Sequence, residues 1–164
     1  MRGTAGPEFE WLFRSTYASV LRTSFLILHD QGAAEEVTQD AFLRLYERWH
    51  SVAEVDHPSA WVRRVATRAA VKRAKRAKSL TTAPEAAGAS DQRLDIDLLR
   101  AVVRLPAQQR AAVALYYLED RPVAEVADLM GVSTSTVKQH LHRAREHLAN
   151  TLHSRGAADH EGRH

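Results

Sequence analysis

A chain of 164 residues has room for one helical domain or two small ones, and 45 % apolar residues are enough for a packed core. The absence of cysteine excludes a disulfide framework and any thiolate metal site, which suits a reducing cytoplasm. No apolar run reaches membrane-spanning length, acidic residues interrupt the opening MRGTAGPEFEWLF before a signal-peptide core could form, and a net charge of +3 is too small by itself to imply nucleic acid.

Pro7 can start a first helix, in which Phe9, Leu12, Phe13, Thr16, Tyr17, Val20, Leu21, Phe25 and Leu28 fall on one broad buried face. His29-Asp30-Gln31-Gly32 breaks it, and Asp30 caps a second helix whose opening turns carry Glu35 and Glu36. That helix buries Val37, Ala41, Phe42, Leu45 and Trp49 and turns Glu35, Glu36, Gln39, Asp40, Arg44 and Glu47 outward. A loop is expected from His50 to His57. Pro58 then sits at the first position of a third helix, where its missing N–H costs nothing.

Charge is unevenly distributed. Residues 1–60 hold nine acids and five bases, whereas residues 61–78, WVRRVATRAAVKRAKRAK, hold eight bases and no acid. Trp61, Val62, Val65, Ala66 and Ala69 read as a core seam, without the bulky stripe of a membrane-surface helix. Arg64, Arg68, Lys72 and Arg76 recur every four residues and form one stripe. A helix this basic gains no internal ion pairs, and phosphate is its natural counterion.

Residues 79–92, SLTTAPEAAGASDQ, are small and polar and read as a flexible linker. A second unit follows, with Leu94, Leu98, Leu99, Val102 and Leu105 as one stripe. Pro106 opens the next helix, with Val113, Ala114, Tyr117 and Leu118 expected inward. RPVAEVADLMGVSTSTVKQHLHRAR, residues 121–145, is a helix-turn-helix pattern. Ala124, Val126 and Ala127 lie in its first helix, Gly131 takes the positive-φ turn position, and Ser133 caps a second helix buried along Val137, Leu141, Ala144 and Leu148. Ser135, Thr136, Lys138, Gln139, His142 and Arg143 then point outward as a groove-reading set. No segment alternates as a strand would, so the fold class is all-α, with two small helical domains (1–78 and 93–155), the linker between them, and a disordered tail at 156–164.

In combination these features resemble a bacterial RNA polymerase sigma factor of the extracytoplasmic-function group of the sigma-70 family. Three stretches carry the resemblance. Ala34 to Phe42, AEEVTQDAF, is similar to the region that grips the polymerase clamp. Pro58 to Ala66, PSAWVRRVA, resembles the promoter-melting helix. Leu105-Pro106 through Gln109-Arg110, then Gly131 and Thr136 through Arg145, is similar to the C-terminal helix-turn-helix domain. The chain departs from the family in the run Ala66-Thr67-Arg68, where Asn is frequent, and at Lys72, four residues on, where Asp is frequent, and this makes the melting helix more basic.

The resemblance implies a three-helix N-terminal unit for core polymerase and the −10 element, and a C-terminal unit for the −35 element. It places core-polymerase contacts on Glu36, Gln39, Asp40 and Arg44. Single-stranded −10 DNA falls to Trp61, Arg64, Arg68, Lys72 and Arg76, with the His50–His57 loop taking a flipped base. The −35 duplex falls to Ser135, Thr136, Lys138, Gln139, His142 and Arg143. Implied partners are the polymerase core, through its beta-prime clamp and beta flap, promoter DNA, and an anti-sigma factor. No catalytic constellation, cofactor motif or metal-ligand set is legible: His140 and His147 share a face, but no acidic ligand accompanies them. From the residues alone, a stand-alone helix-turn-helix regulator with an N-terminal interaction domain remains a second reading.

Overall fold

The computed structural model describes residues 5–55, 57–77 and 90–161. Among them the chain forms α1 (Pro7–Leu28), α2 (Gln31–Glu47), α3 (Trp49–Val55), α4 (Pro58–Arg76), α5 (Ser90–Val103), α6 (Ala107–Val113), a π turn (Ala114–Leu118), α7 (Val123–Met130) and α8 (Thr134–Glu161). There is no strand among these residues.

Helices α1, α2 and α4 pack against one another as the N-terminal unit. The α1–α2 corner forms where His29 adopts the left-handed conformation at φ 51° and Asp30 caps α2, its carboxylate accepting from the Ala33 N–H at 2.9 Å. Val20, Ile27, Leu45 and Val62 are fully buried between the three helices. Each contributes roughly 1.5–3 kcal/mol by leaving water. The first-helix stripe holds at Leu12, Thr16 and Val20 and then rotates onto Thr23, Ser24 and Ile27, leaving Leu21 and Phe25 half-buried. The buried hydroxyls are paired, with Thr38 Oγ1 and Ser24 Oγ 3.2 Å apart.

The expected His50–His57 loop is instead mostly helix α3, with residue 56 outside the described residues. Trp49 and Val52, three residues apart, are both buried and anchor this turn, and the Trp49 indole meets Phe9 edge-on at 5.4 Å. Sequence alone reads the polar residues between them as loop, whereas packing of the two apolar anchors decides.

In the C-terminal unit α8 packs on α5, α6 and α7. Tyr117 and Leu118, expected inward, are exposed. The cause is the π turn: the Glu119 N–H reaches the Ala114 carbonyl five residues back at 3.0 Å, so an extra residue enters the turn and carries these side chains off the core face. Ala111, Ala112, Val113, Ala114 and Leu115 fill the interior instead. On α5, Leu98 and Leu99 are exposed and Ala101 and Val103 are buried, as is Leu105 just past its end, so the seam there lies to one side of the leucine stripe. Helix α5 already begins at Ser90, inside the expected linker, of which residues 79–89 lie outside the described residues. Helix α8 continues through residues 156–161, which sequence assigned to a disordered tail. Once nucleated and docked, a helix extends at little cost per residue.

The two units touch. Helix α4 packs on α6 and α7, and α1 packs on α6 and the π turn. Helix α6 and the π turn that continues it serve both cores, with Ala107, Ala111 and Ala114 in the N-terminal cluster and Ala112, Val113 and Leu115 in the C-terminal one.

Candidate nucleic-acid interface

The helix-turn-helix is built as its sequence requires. Helix α7 ends in a Schellman motif: the Val132 N–H reaches the Ala127 carbonyl at 3.1 Å, and the Gly131 N–H reaches Asp128 at 3.2 Å. Gly131 sits at φ 69°, the left-handed region that favours glycine. Ser133 caps α8, its Oγ accepting from the Thr136 N–H at 3.1 Å. The same hydroxyl lies 3.0 Å from Ser135 Oγ and 2.8 Å from Thr136 Oγ1, which gathers three hydroxyls at the helix N-terminus.

Val137, Leu141 and Ala144 are buried and Leu148 packs beside them, so the opposite face of α8 is open. On it Ser135, Lys138, Gln139, His142 and Arg143 are exposed and Thr136 is half-buried. His142 Nε2 is 3.3 Å from Glu146 one turn on. Arg145 Nε donates to the Tyr117 hydroxyl at 2.6 Å, which gives the displaced π-turn tyrosine a role in bracing this helix.

The basic stripe of α4 is divided. Lys72 and Arg76 are exposed. Arg64 and Arg68 instead reach the helix-turn-helix: Arg64 Nη1 lies 3.4 Å from the Asp128 carboxylate, and Arg68 Nη2 donates to the Asp128 carbonyl at 2.9 Å. Arg68 also lies flat over Gly131, where a Cβ would meet its Nε at 3.0 Å. Trp61 is half-buried and packs on the N-terminal core. Neighbouring Arg63 donates to Ser19 at 2.9 Å, and burial, followed by the nearby charge of Arg121, lowers its pKa.

Other polar contacts hold the same seam. The Glu119 side chain is only 4 % exposed, pairs with Arg121 at 2.9 Å and accepts from the Thr23 hydroxyl across the seam. Burial works against the charged form of Arg121, but the hydrogen bond and charge of Glu119, with Glu125, raise its pKa overall.

On α2, Glu36 pairs with Arg73 of α4 at 2.6 Å, Asp40 pairs with Arg44 at 3.1 Å, and Gln39 is exposed. All four candidate residues therefore share one accessible region. Sequence reasoning missed the seam: Asp128 and Gly131 stand some sixty residues from Arg68, and no local pattern pairs them. It also missed Arg110 as a structural group. This side chain is 7 % exposed and donates to the Val103 carbonyl across the α5–α6 corner. No group of three or more metal-ligating side chains occurs among the described residues, and no described helix is long and apolar enough to cross a membrane.

Comparisons with known proteins agree with this arrangement. Residues 12–80 match the family model for sigma-70 region 2, and residues 95–148 match that for sigma-70 region 4. The ECF RNA polymerase sigma factor SigM of Mycobacterium tuberculosis is 31 % identical over 150 residues, covering 88 % of this chain and 76 % of that protein. The RNA polymerase sigma-E factor of Streptomyces coelicolor is 33 % identical over 155 residues, covering 90 % and 88 %. The sigma factor RpoE of Bartonella quintana, solved in complex with the anti-sigma factor NepR, superposes with a TM-score of 0.66 at 19 % identity, covering 90 % of this chain and 98 % of that one.

Proposed function

The chain belongs to the extracytoplasmic-function sigma factors of the sigma-70 family, and from that premise we propose which of its surfaces does which part of promoter recognition. Helix α8 enters the major groove of the −35 element. Ser135, Thr136, Lys138 and Gln139 lie near base edges, and His142 and Arg143 lie along the phosphates. The observation that carries this reading is the open polar face of α8, held at fixed pitch by the Ser133 cap and the Gly131 turn.

Core polymerase docks on the α2 face through Glu36, Gln39, Asp40 and Arg44, where acids and an amide suit a basic partner. The −10 single strand runs along α4. Lys72 and Arg76 are exposed for it, and Arg64 and Arg68 join once they leave Asp128. Trp61, packed on the core, supports that helix more than it wedges between bases. The N-terminal and C-terminal units therefore part along their seam to reach two promoter elements. An anti-sigma factor is the proposed inhibitor, and the cytoplasm the proposed compartment. The protein supplies binding energy, and the polymerase supplies the chemistry.

Run-off transcription with core polymerase tests the assignment. Lys138→Ala is expected to weaken promoter use by about 1–3 kcal/mol, roughly five- to 150-fold, with core binding intact. Asp40→Arg is expected to lower core affinity in a direct titration. Loss of core binding in Lys138→Ala would overturn the assignment of α8, and unchanged affinity in Asp40→Arg would remove α2 from the interface.

A further inference from the structure

We propose that a cationic groove along the seam binds a small oligophosphate anion, of the di- or triphosphate kind, held jointly by both units. The groove measures about 880 Å3. That lies within the roughly 300–1,000 Å3 range of small-molecule sites. Its walls carry His29 and Lys75 from the N-terminal unit and Arg104, Arg110, His140 and Arg143 from the C-terminal unit. Arg73 also lines it but is paired with Glu36. Among the described residues lining it one carboxylate is found, Asp30, which already accepts the capping hydrogen bond of α2.

Among the described residues Lys75, Arg104 and Arg143 form no ion pair, so positive charge gathers in the groove. Arg110 gives one N–H to Val103, yet its Nε has no hydrogen-bond partner, and His140 Nε2 is likewise shut from solvent without one. Burial pushes the His140 pKa down, and Arg143 and Lys75 push it further, so cations of both units act on one imidazole. Burial and Arg110 do the same to His29. The accessible cations are Lys75, Arg104 and Arg143, and an anion lying between the walls answers them from both sides with charge-assisted hydrogen bonds.

The chemistry of the walls narrows the ligand. A monoanion can answer one wall, whereas an oligophosphate has charge and oxygens enough for both. Among the described residues lining the groove there is no Phe, Tyr or Trp to stack the bases of a nucleic-acid strand. Because the ligand would touch both units, it binds the closed arrangement and disfavours opening.

The test is calorimetric titration of the full chain with tripolyphosphate at fixed ionic strength, with pyrophosphate, sulfate and a single-stranded oligonucleotide as comparators. One saturable site is expected, with affinity falling from tripolyphosphate through pyrophosphate to sulfate. Lys75→Gln and Arg104→Gln, one from each unit and both exposed, should each weaken it about tenfold. Arg14→Gln, which removes the same charge from a distant part of α1, should not. Equal binding of sulfate and tripolyphosphate, or variants that bind like the parent chain, would overturn the proposal. An oligonucleotide that binds as tightly would give the groove to nucleic acid instead. None of these outcomes bears on run-off transcription, so this site and the promoter assignment fail separately.

Discussion

Helices α4 and α8 both present a basic polar face, and the structure spends the two differently. On α8 Ser135, Lys138, Gln139, His142 and Arg143 are exposed, and the contact of His142 with Glu146 stays on the helix. On α4 two of the four stripe residues bridge to α7, while Lys72 and Arg76 stay exposed. Periodicity identifies a charged stripe, but which part of it is available depends on what packs across it. The same Asp128–Gly131 corner that aims α8 also receives Arg68, so the turn joins α8 to α4.

The sharpest way to separate the two units is through α6 and the π turn that continues it, which contribute to both cores. Leu115 is fully buried in the C-terminal cluster, and Leu115→Ala should destabilise the protein by about 2–5 kcal/mol. The denaturant midpoint should fall accordingly. Ala111 is equally buried but faces the N-terminal cluster. Ala111→Leu overpacks the seam at a cost of about 1–3 kcal/mol. The strain can be relieved by parting the units, so the distance between dyes on α2 and α8 should increase while helicity is kept. Global loss of helicity in Ala111→Leu would mean that the units do not stand alone.

A smaller effect is expected at Gly131. Gly131→Ala places a Cβ in the left-handed conformation at about 1–2 kcal/mol. It also pushes that Cβ toward Arg68 at 3.0 Å. The two causes separate in a double-mutant cycle. If the contact with Arg68 matters, part of the loss returns in the Arg68→Ala background, and strict additivity would leave backbone strain as the whole effect.

Where one element decides its own conformation, the sequence was readable. The Asp30 and Ser133 caps, Pro58 at the start of α4, the positive φ of Gly131 and the inner face of α8 all depend on residues within a few positions. The misreadings arise where distant residues compete. Tyr117 and Leu118 turned outward because a π turn changes register, which apolar spacing does not encode. The α3 segment became helical because Trp49 and Val52 found the N-terminal core. Among the candidate contacts, those on α8 stand where their spacing put them, whereas Arg64 and Arg68 are withdrawn by a partner sixty residues away.

The smallest expected effect is a pH dependence of the seam. His29 lies at the α1–α2 corner beside Asp30 and faces Arg110 of α6, and His140 on α8 lies among Arg143 and Lys75 of α4. Burial first and these cations second lower both imidazole pKa values in the closed form. An imidazole released to water takes up its proton near pH 6.5, at about its ordinary value. Between that pH and the lowered values, the opened or unfolded chain binds more protons than the closed one. The contribution to stability is therefore complete above about pH 6.5 and is lost as pH falls through the lowered values. The denaturant midpoint should drop on acidification from about pH 8 to about pH 5.5, and less steeply in His29→Gln with His140→Gln, where neither side chain can take up charge. Identical slopes in the parent chain and the double variant would show that the seam's positive field does not reach these two rings.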